Sequence, residues 1–290
     1  MWGYRRLDPI PGAGDFDGFY ECHYGALVTA GGRGPDLARM LAGGPDAFEE
    51  RAWQAVTLHA DVLDALEGVR TEAPSARILD IGCGTGELLR TLVGAGWDAI
   101  GTEPSGPLAE LGRAAGLTIA ASTASAYLDD WARDGGQPFA GIVLLNVLEH
   151  VAEPAPLVEA LRTALLPGGR LIVRVPNDFS PLQLAAWHHL GGEPWWVAIP
   201  DHVNYFDHAS IAALLERLGF EVVARSADFP MELFLLMGDD YRADPAAGLA
   251  AHRRRRRAEL ALDQGTRRAM GRAWAEAGLG RNAFVVARPA

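Results

Sequence analysis

Apolar and polar positions follow two alternating spacings through the middle of this chain. Short unbroken apolar runs, Ile78-Leu79 with Ile81, Ala99-Ile100, and Ile142-Val143-Leu144-Leu145, are separated by stretches whose apolar residues recur at helical spacing. Runs of this kind fit parallel strands buried on both faces, with helices as the crossovers between them. The pattern predicts a first strand ending at Asp80 and Ile81, a helix from Glu87 to Ala95, a second strand over Asp98–Glu103, a helix from Ser105 to Ala115 and a third strand over Leu117–Ala121. A fourth strand follows at Gly141–Leu145, then a helix from Pro156 to Leu166 stopped by Pro167-Gly168-Gly169, and a fifth strand over Arg170–Val175. Asp207 is placed to cap a helix over His208–Leu218, which Gly219 closes. Strands at Phe220–Ala224 and Ala283–Ala287 complete the set, with a mainly helical insertion over 228–281 between them.

The first 74 residues do not fit the sheet. They open with Asp8-Pro9-Ile10-Pro11-Gly12 and an aromatic cluster of Phe16, Phe19, Tyr20 and Tyr24. A helix is predicted from Pro45 to Gly68, with the apolar positions Phe48, Ala52, Ala55, Val56, Leu58, Val62, Leu63 and Leu66 at near-helical spacing. This segment reads as a helical pad on the main domain or as a lid over its ligand.

The chemistry begins where the first strand meets its helix, in Arg77-Ile78-Leu79-Asp80-Ile81-Gly82-Cys83-Gly84-Thr85-Gly86-Glu87. Glycines in such a turn accept positive φ and let a ligand approach the backbone. The spacing is G-x-G-x-G, so Gly86 falls one position early for the dinucleotide fingerprint G-x-G-x-x-G. Glu103 ends the second strand 17 residues beyond Gly86, where a carboxylate accepts hydrogen bonds from both hydroxyls of a ribose.

With DIGCGTG and GTEPSG both in place, the chain resembles the class I S-adenosylmethionine-dependent methyltransferases of the small-molecule type. Two further runs, NVLEHV at 146–151 and LLPGGRLIVRVPN at 165–177, extend the resemblance over about residues 75–227 and the last ten. The resemblance implies an α/β fold, a doubly wound, mostly parallel sheet of seven strands, with an N-terminal helical cap (1–74), a methyltransferase domain (75–290) and the helical insertion before the last strand. It implies that Asp80, Gly82, Cys83, Gly84 and Gly86 surround the methionine part of the cofactor and Glu103 holds its ribose, with Pro104 and Ser105 beside it. Ser122 and Thr123 are placed near the adenine by their order in the chain, and Asn146 and Val147 by their strand-end position. In many members of that family an N-terminal segment closes over the cofactor, which makes Tyr20 and Tyr24 candidates to face the sulfonium through a cation–π contact.

Composition removes several alternatives. All 26 basic residues are arginine, so a lysine Schiff base and a P-loop lysine are excluded. A net charge of -11 disfavours generic binding to nucleic acid or anionic membranes. No apolar run approaches the ~18 residues of a membrane span, the N-terminus reads as lacking a signal peptide, and the expected location is the cytoplasm. Cys22 and Cys83 are too few for a disulfide framework. Residues 249–281 carry nine arginines against three acids, five of them in the run Arg253–Arg257; this reads as a solvated helix face complementing an acidic remainder, with an acidic partner as the alternative.

Methyl transfer to a hydroxyl or an acidic carbon requires an aligned nucleophile and removal of a proton. His202 is the candidate base, with Tyr205 nearby in the chain, and His150 is a second candidate whose other role is to brace the strand end with Glu149. Trp187, His188, His189, Trp195 and Trp196 form either a small core or a pocket wall. No H-x-x-x-H or cysteine cluster gives a metal site, and Asp129-Asp130 and Asp239-Asp240 read as surface acids; no metal is expected. The expected partner is a small-molecule substrate, with a homodimer left open and neither nucleic acid nor membrane. Two other readings stand beside methyl transfer: a catalytically silent scaffold of the same fold, and a nicotinamide-dependent oxidoreductase.

Overall fold

The structure is a computed structural model that describes residues 2–12, 19, 23–29, 34–70 and 77–290. Its chain opens with the two-residue strand β1 (Arg5–Arg6), then helices α1 (Gly25–Thr29), α2 (Pro35–Ala42), α3 (Gly44–Val56) and α4 (Leu58–Arg70). The alternating part follows as β2 (Arg77–Ile81), α5 (Glu87–Gly94), β3 (Asp98–Thr102), α6 (Gly106–Ala114), β4 (Ile119–Ala120), α7 (Ala124–Arg133) and β5 (Phe139–Leu145). After a single 3-10 turn at Leu148–His150 come α8 (Pro154–Ala164), β6 (Leu165–Pro176), α9 (Pro181–Leu190), β7 (Asn204–Tyr205), α10 (His208–Arg217) and β8 (Phe220–Ala227). The chain closes with α11 (Glu232–Leu236), α12 (Pro245–Ala261), α13 (Gln264–Glu276) and β9 (Asn282–Pro289).

Seven strands form one mostly parallel sheet in the order β4-β3-β2-β5-β6-β9-β8. β2 pairs in parallel with β3 on one side and β5 on the other, with Asp80 in register with Gly101 and Val143. Chain order reverses direction at β2, and the crevice beyond the carboxyl ends of strands at such a switch point is where open α/β sheets bind ligands. The central strands β2 and β5 are mostly apolar because both of their faces are covered: Ile78, Leu79, Ile142, Val143 and Leu144 are fully buried.

The chain divides into two compact units: residues 1–10, 148–152 and 173–287, and residues 11–147, 153–172 and 288–290. The first ten residues thus belong with the later part of the chain, where β1 pairs antiparallel with β7, Arg5 opposite Tyr205. The predicted limit at residue 74 and the candidate Tyr20 lie outside the described residues. No helix among the described residues is long and apolar enough to cross a membrane.

Several local expectations are corrected. The single helix predicted over Pro45–Gly68 is broken at Thr57 (φ −111°, ψ −96°), whose hydroxyl donates to Trp53 O at 2.7 Å. The break turns the first half: Phe48 is 75% exposed, while Ala47, Glu50, Trp53 and Gln54 are buried, Glu50 accepting from Arg39 of α2 at 3.2 Å. The Pro167-Gly168-Gly169 stop lies inside β6, since Leu165 is already extended (φ −83°, ψ 145°) and the strand runs through the turn-like residues. The third strand shrinks to Ile119–Ala120, and α7 had no counterpart in the pattern. Asp207 caps α10 as expected, accepting from Ser210 N–H at 2.7 Å while the Ser210 hydroxyl accepts from Asp207 N–H at 2.9 Å.

The arginine run does not lie wholly on a solvated face: Arg255 and Arg256 are buried. Arg255 donates to Glu259 at 3.2 Å and to Asp228 at 3.2 Å, and Asp228 also accepts from Arg174 (2.9 Å) and from the backbone and side chain of Asn282 (2.8 and 2.7 Å). Asp228 therefore ties β6, α12 and β9 together. Burial works to raise its carboxyl, but Arg255 and Arg174 outweigh burial and hold it well below the usual carboxylate range.

Candidate active site

The glycine turn is built from strong backbone constraints. Gly82, Gly84 and Gly86 all have positive φ (68°, 55° and 82°). A Cβ at Gly82 would stand 2.7 Å from Val147 Cγ2, so this position is closed to larger residues twice over. Glu103 holds the turn to the second strand end: its carboxylate accepts from Gly84 N–H at 2.9 Å and from Ser105 N–H at 2.8 Å. Each carboxylate oxygen retains a further lone pair for a ribose hydroxyl. Cys83 turns its thiol toward Gly101 of β3, where a Cβ would sit 2.5 Å from Sγ, and burial pushes that thiol up. Ser122 N–H donates to Glu103 O at 3.2 Å, bringing the candidate adenine turn to the same strand end, while Thr123 accepts from Ala126 N–H as the cap of α7.

Asp80 and Glu103 give this crevice its charge. Burial, with the neighbouring Glu103 charge second, pushes Asp80 up to about 8. Burial also raises Glu103, against the two backbone donors that favour its ionised form. Asp80 Oδ2 and Ser105 Oγ are buried without a hydrogen-bond partner among the described residues. Two buried carboxyls, unpartnered polar atoms and a turn lacking Cβ atoms make a cradle for a ligand that brings positive charge and hydroxyl donors. The N-terminal helices border it: Leu37 Cδ2 lies 3.5 Å from a Cβ placed on Gly84, and Ser105 Oγ 3.0 Å from one placed on Gly25. Tyr24, next to Gly25, meets the Phe19 ring edge-on at 6.2 Å. Asn146, directly after β5, has φ +59°, a backbone state costly for a residue other than glycine.

A second group of side chains gathers where the 148–151 segment is stapled to 202–205. Val203 N–H donates to Glu149 O at 2.8 Å, and the Asn204 amide donates to Leu148 O at 3.1 Å and Val151 O at 2.6 Å. His150 and His202 meet edge to face at 4.7 Å, and Tyr205 donates its hydroxyl to His202 O at 3.0 Å. His150 Nδ1 lies 3.0 Å from Asp201 O; a carbonyl only accepts, so Nδ1 carries the proton and Nε2 faces Glu149 Oε1 at 3.9 Å. Burial, then Asp178 and Asp201, pushes the Tyr205 phenol up to about 12.

Asp178 was not signalled by the sequence. It lies 3% exposed two positions after the end of β6, and burial together with Glu149 raises its carboxyl well above the usual range. Its backbone N–H donates to Phe206 O at 2.7 Å, while Oδ2 has no partner among the described residues. The polar pair Asn177-Asp178 ending an apolar strand was the available clue. Phe179, with φ +57°, meets Tyr205 and Trp196 edge-on, and Arg5 lies over its ring at 4.0 Å. Trp196 in turn packs against Trp187 and Trp195, so the tryptophans form a continuous aromatic layer, while His188 and His189 are exposed on α9.

A family model described as "Methyltransferase domain" matches residues 51–225, and the chain belongs to that family. It is 34% identical over 110 residues to a ubiquinone biosynthesis O-methyltransferase of Xylella fastidiosa (strain 9a5c), covering 37% of this chain and 45% of that protein. It is 37% identical over 136 residues to protein-L-isoaspartate O-methyltransferase 1 of Arabidopsis thaliana, covering 44% and 56%. The chain thus spans about half the length of the curated relatives it matches. Among solved structures, a SAM-dependent methyltransferase from Archaeoglobus fulgidus aligns over 79% of this chain and 92% of its own, with a TM-score of 0.51 and 17% identity. The plantazolicin methyltransferase BpumL in complex with SAH aligns over 91% and 94%, with a TM-score of 0.52 and 13% identity. Both likenesses establish the shared Rossmann-like fold.

Proposed function

We propose that this chain transfers a methyl group from S-adenosylmethionine to an oxygen of a small molecule, a sugar-like or specialised metabolite. The observation that carries the reading is the cradle of Asp80, Glu103 and the G-x-G-x-G turn, whose unpartnered Asp80 Oδ2 and Ser105 Oγ suit a ligand bearing an ammonium, a sulfonium and ribose hydroxyls. Asp80 and the backbone of Gly82, Cys83 and Gly84 would hold the methionine part, Glu103 the ribose, and Ser122 with Thr123 the adenine. Tyr24 and the helices of the first 74 residues would close over it as a lid. Bound there, the cofactor supplies an electrophilic methyl group on a positively charged sulfur.

Oxygen is favoured as the acceptor atom because both curated relatives named above are O-methyltransferases. The chain's own share of the reaction is to align and activate that oxygen, and we assign this to His202, supported by His150 and Tyr205. In its simplest form His202 takes the acceptor's proton. In the chain, His150 follows Val147, the residue packed on the glycine turn, by three positions. The apolar tryptophan layer suits an acceptor with a flat or greasy face.

The test has two parts. Calorimetry is expected to give tighter binding of S-adenosylhomocysteine than of any nicotinamide dinucleotide, and the reverse order would sink the reading. Incubation with methyl-labelled cofactor and a metabolite extract is expected to yield a labelled small molecule with the label on oxygen; absence of transfer to any acceptor would favour a silent scaffold.

A further inference from the structure

Glu149, His150 and His202 each offer one ligand atom, and these atoms all lie within 4.8 Å of one another. We propose that the three side chains form a binding site for a divalent first-row cation, zinc or manganese, which holds the acceptor oxygen as a further ligand. The inference rests on the methyl-transfer reading for the acceptor, and it sharpens that reading: His202 then activates the acceptor through the ion it holds.

Four observations support it. The donor set is one carboxylate and two imidazoles, a combination that suits zinc, iron or manganese better than magnesium or calcium, which prefer oxygen throughout. Three protein ligands leave positions open for substrate, as in catalytic rather than structural sites. His150 is oriented as metal-ligating histidines are, its Nδ1–H donated to a backbone carbonyl and its Nε2 turned inward. The 3.9 Å from that nitrogen to Glu149 Oε1 is too long for a hydrogen bond, yet both atoms can reach one ion at about 2.0–2.2 Å.

The site is also held in place. Backbone and amide hydrogen bonds fasten 148–151 to 202–205, so two segments 52 residues apart in sequence present their ligands from one braced unit. Charge points the same way. Glu149, Asp178 and Asp201 are all at least 97% buried, and Asp178 Oδ2 has no partner among the described residues. A divalent ion beside these carboxyls would give buried oxygens a partner that the interior otherwise lacks. Chemically, an O–H held by such an ion becomes more acidic. The O–H bond breaks with its electron pair left on oxygen, the proton passes to water, and that pair forms the new C–O bond as the C–S bond to the methyl group breaks, its electron pair staying on sulfur so that neutral S-adenosylhomocysteine thioether leaves.

The experiment measures metal without requiring turnover. The full chain is stripped with EDTA, dialysed against Zn2+, Mn2+ or Mg2+ singly, and assayed for retained metal by mass spectrometry. About one equivalent of zinc or manganese per chain is expected. His202→Ala and Glu149→Gln should retain less than about a tenth of that, while His188→Ala/His189→Ala, which removes two exposed imidazoles, should retain as much as wild type. S-adenosylhomocysteine binding, measured in parallel, should be unchanged in all three variants and reports their folding. Should Glu149→Gln fail to fold, His202→Asn and the visible absorption of the Co2+-loaded wild type carry the comparison. Retention of no ion by wild type, or equal retention by the His202 variants, overturns the proposal. Metal retained by a chain that binds no S-adenosylhomocysteine would instead overturn the methyl-transfer reading and leave the metal site standing.

Discussion

Asp80 carries a pH signature that separates its two roles. Its pKa is raised in the folded chain to about 8 from an ordinary value of 3.8. Between those values the folded state holds a proton that the unfolded state has lost, so stability of the ligand-free protein falls as pH rises through this window and levels off above it. Asp80→Asn should therefore be more stable than wild type at pH 8 and little different at pH 4, as read by denaturant midpoints. A cationic cofactor favours the ionised carboxylate, so its affinity should rise with pH, up to about tenfold per unit below pH 8, with proton release detectable by calorimetry in two buffers; a pH-independent affinity would remove Asp80 from the site. Glu103→Ala should weaken S-adenosylhomocysteine by about 1.5–3 kcal/mol, part of it through the lost ties to Gly84 and Ser105. His202→Ala should reduce turnover by about 10²–10⁴ with cofactor affinity nearly unchanged. Loss of cofactor binding in that variant would transfer its assigned role to His150.

Among the elements, the helical insertion depends on one carboxylate. Asp228 joins Arg174 of β6, Arg255 of α12 and Asn282 of β9, and apolar contacts among Met231, Phe234 and Ala251, with Phe229 and Tyr241 against them, fill the space alongside. Asp228→Ala removes the buried acceptor that Arg174 and Arg255 share and should cost about 3–5 kcal/mol in chemical denaturation. Because its folded pKa is depressed, this contribution is present above the unfolded pKa and is lost as pH falls below it. Arg253→Ala, on the exposed side of α12, should change stability by less than about 0.5 kcal/mol, whereas Arg255→Ala should behave like the Asp228 variant. Equal effects from the two arginines would contradict the burial pattern. The run of five looked uniform in sequence because helical phase relative to the neighbours, not residue type, decides which of them are covered.

For the whole molecule, binding to the native state raises stability by mass action, and saturation to a hundred times Kd is worth about 2.7 kcal/mol. S-adenosylhomocysteine at that level should raise the melting temperature by several degrees, with NAD and NADP leaving it unchanged. A shift produced by the dinucleotides instead would revive the oxidoreductase reading.

How much was legible in the sequence follows from the range of the interactions involved. The sheet strands, the glycine turn, Asp80, Glu103 and the Asp207 cap were readable because each is specified within a few residues: an unbroken apolar run, positive φ without a Cβ, a carboxylate at a strand end, an acceptor three residues before a free N–H. The break at Thr57 and the extension of β6 through Pro167-Gly168-Gly169 were not, because packing overrode local helix and stop signals. Asp178 carried too little local signal, as any polar residue after a strand reads as the start of a loop. The meeting of Glu149 and His150 with His202 was decided by the tertiary structure alone, since hydrogen bonds from Val203 and Asn204 to a segment some fifty residues earlier leave no periodic trace in the chain.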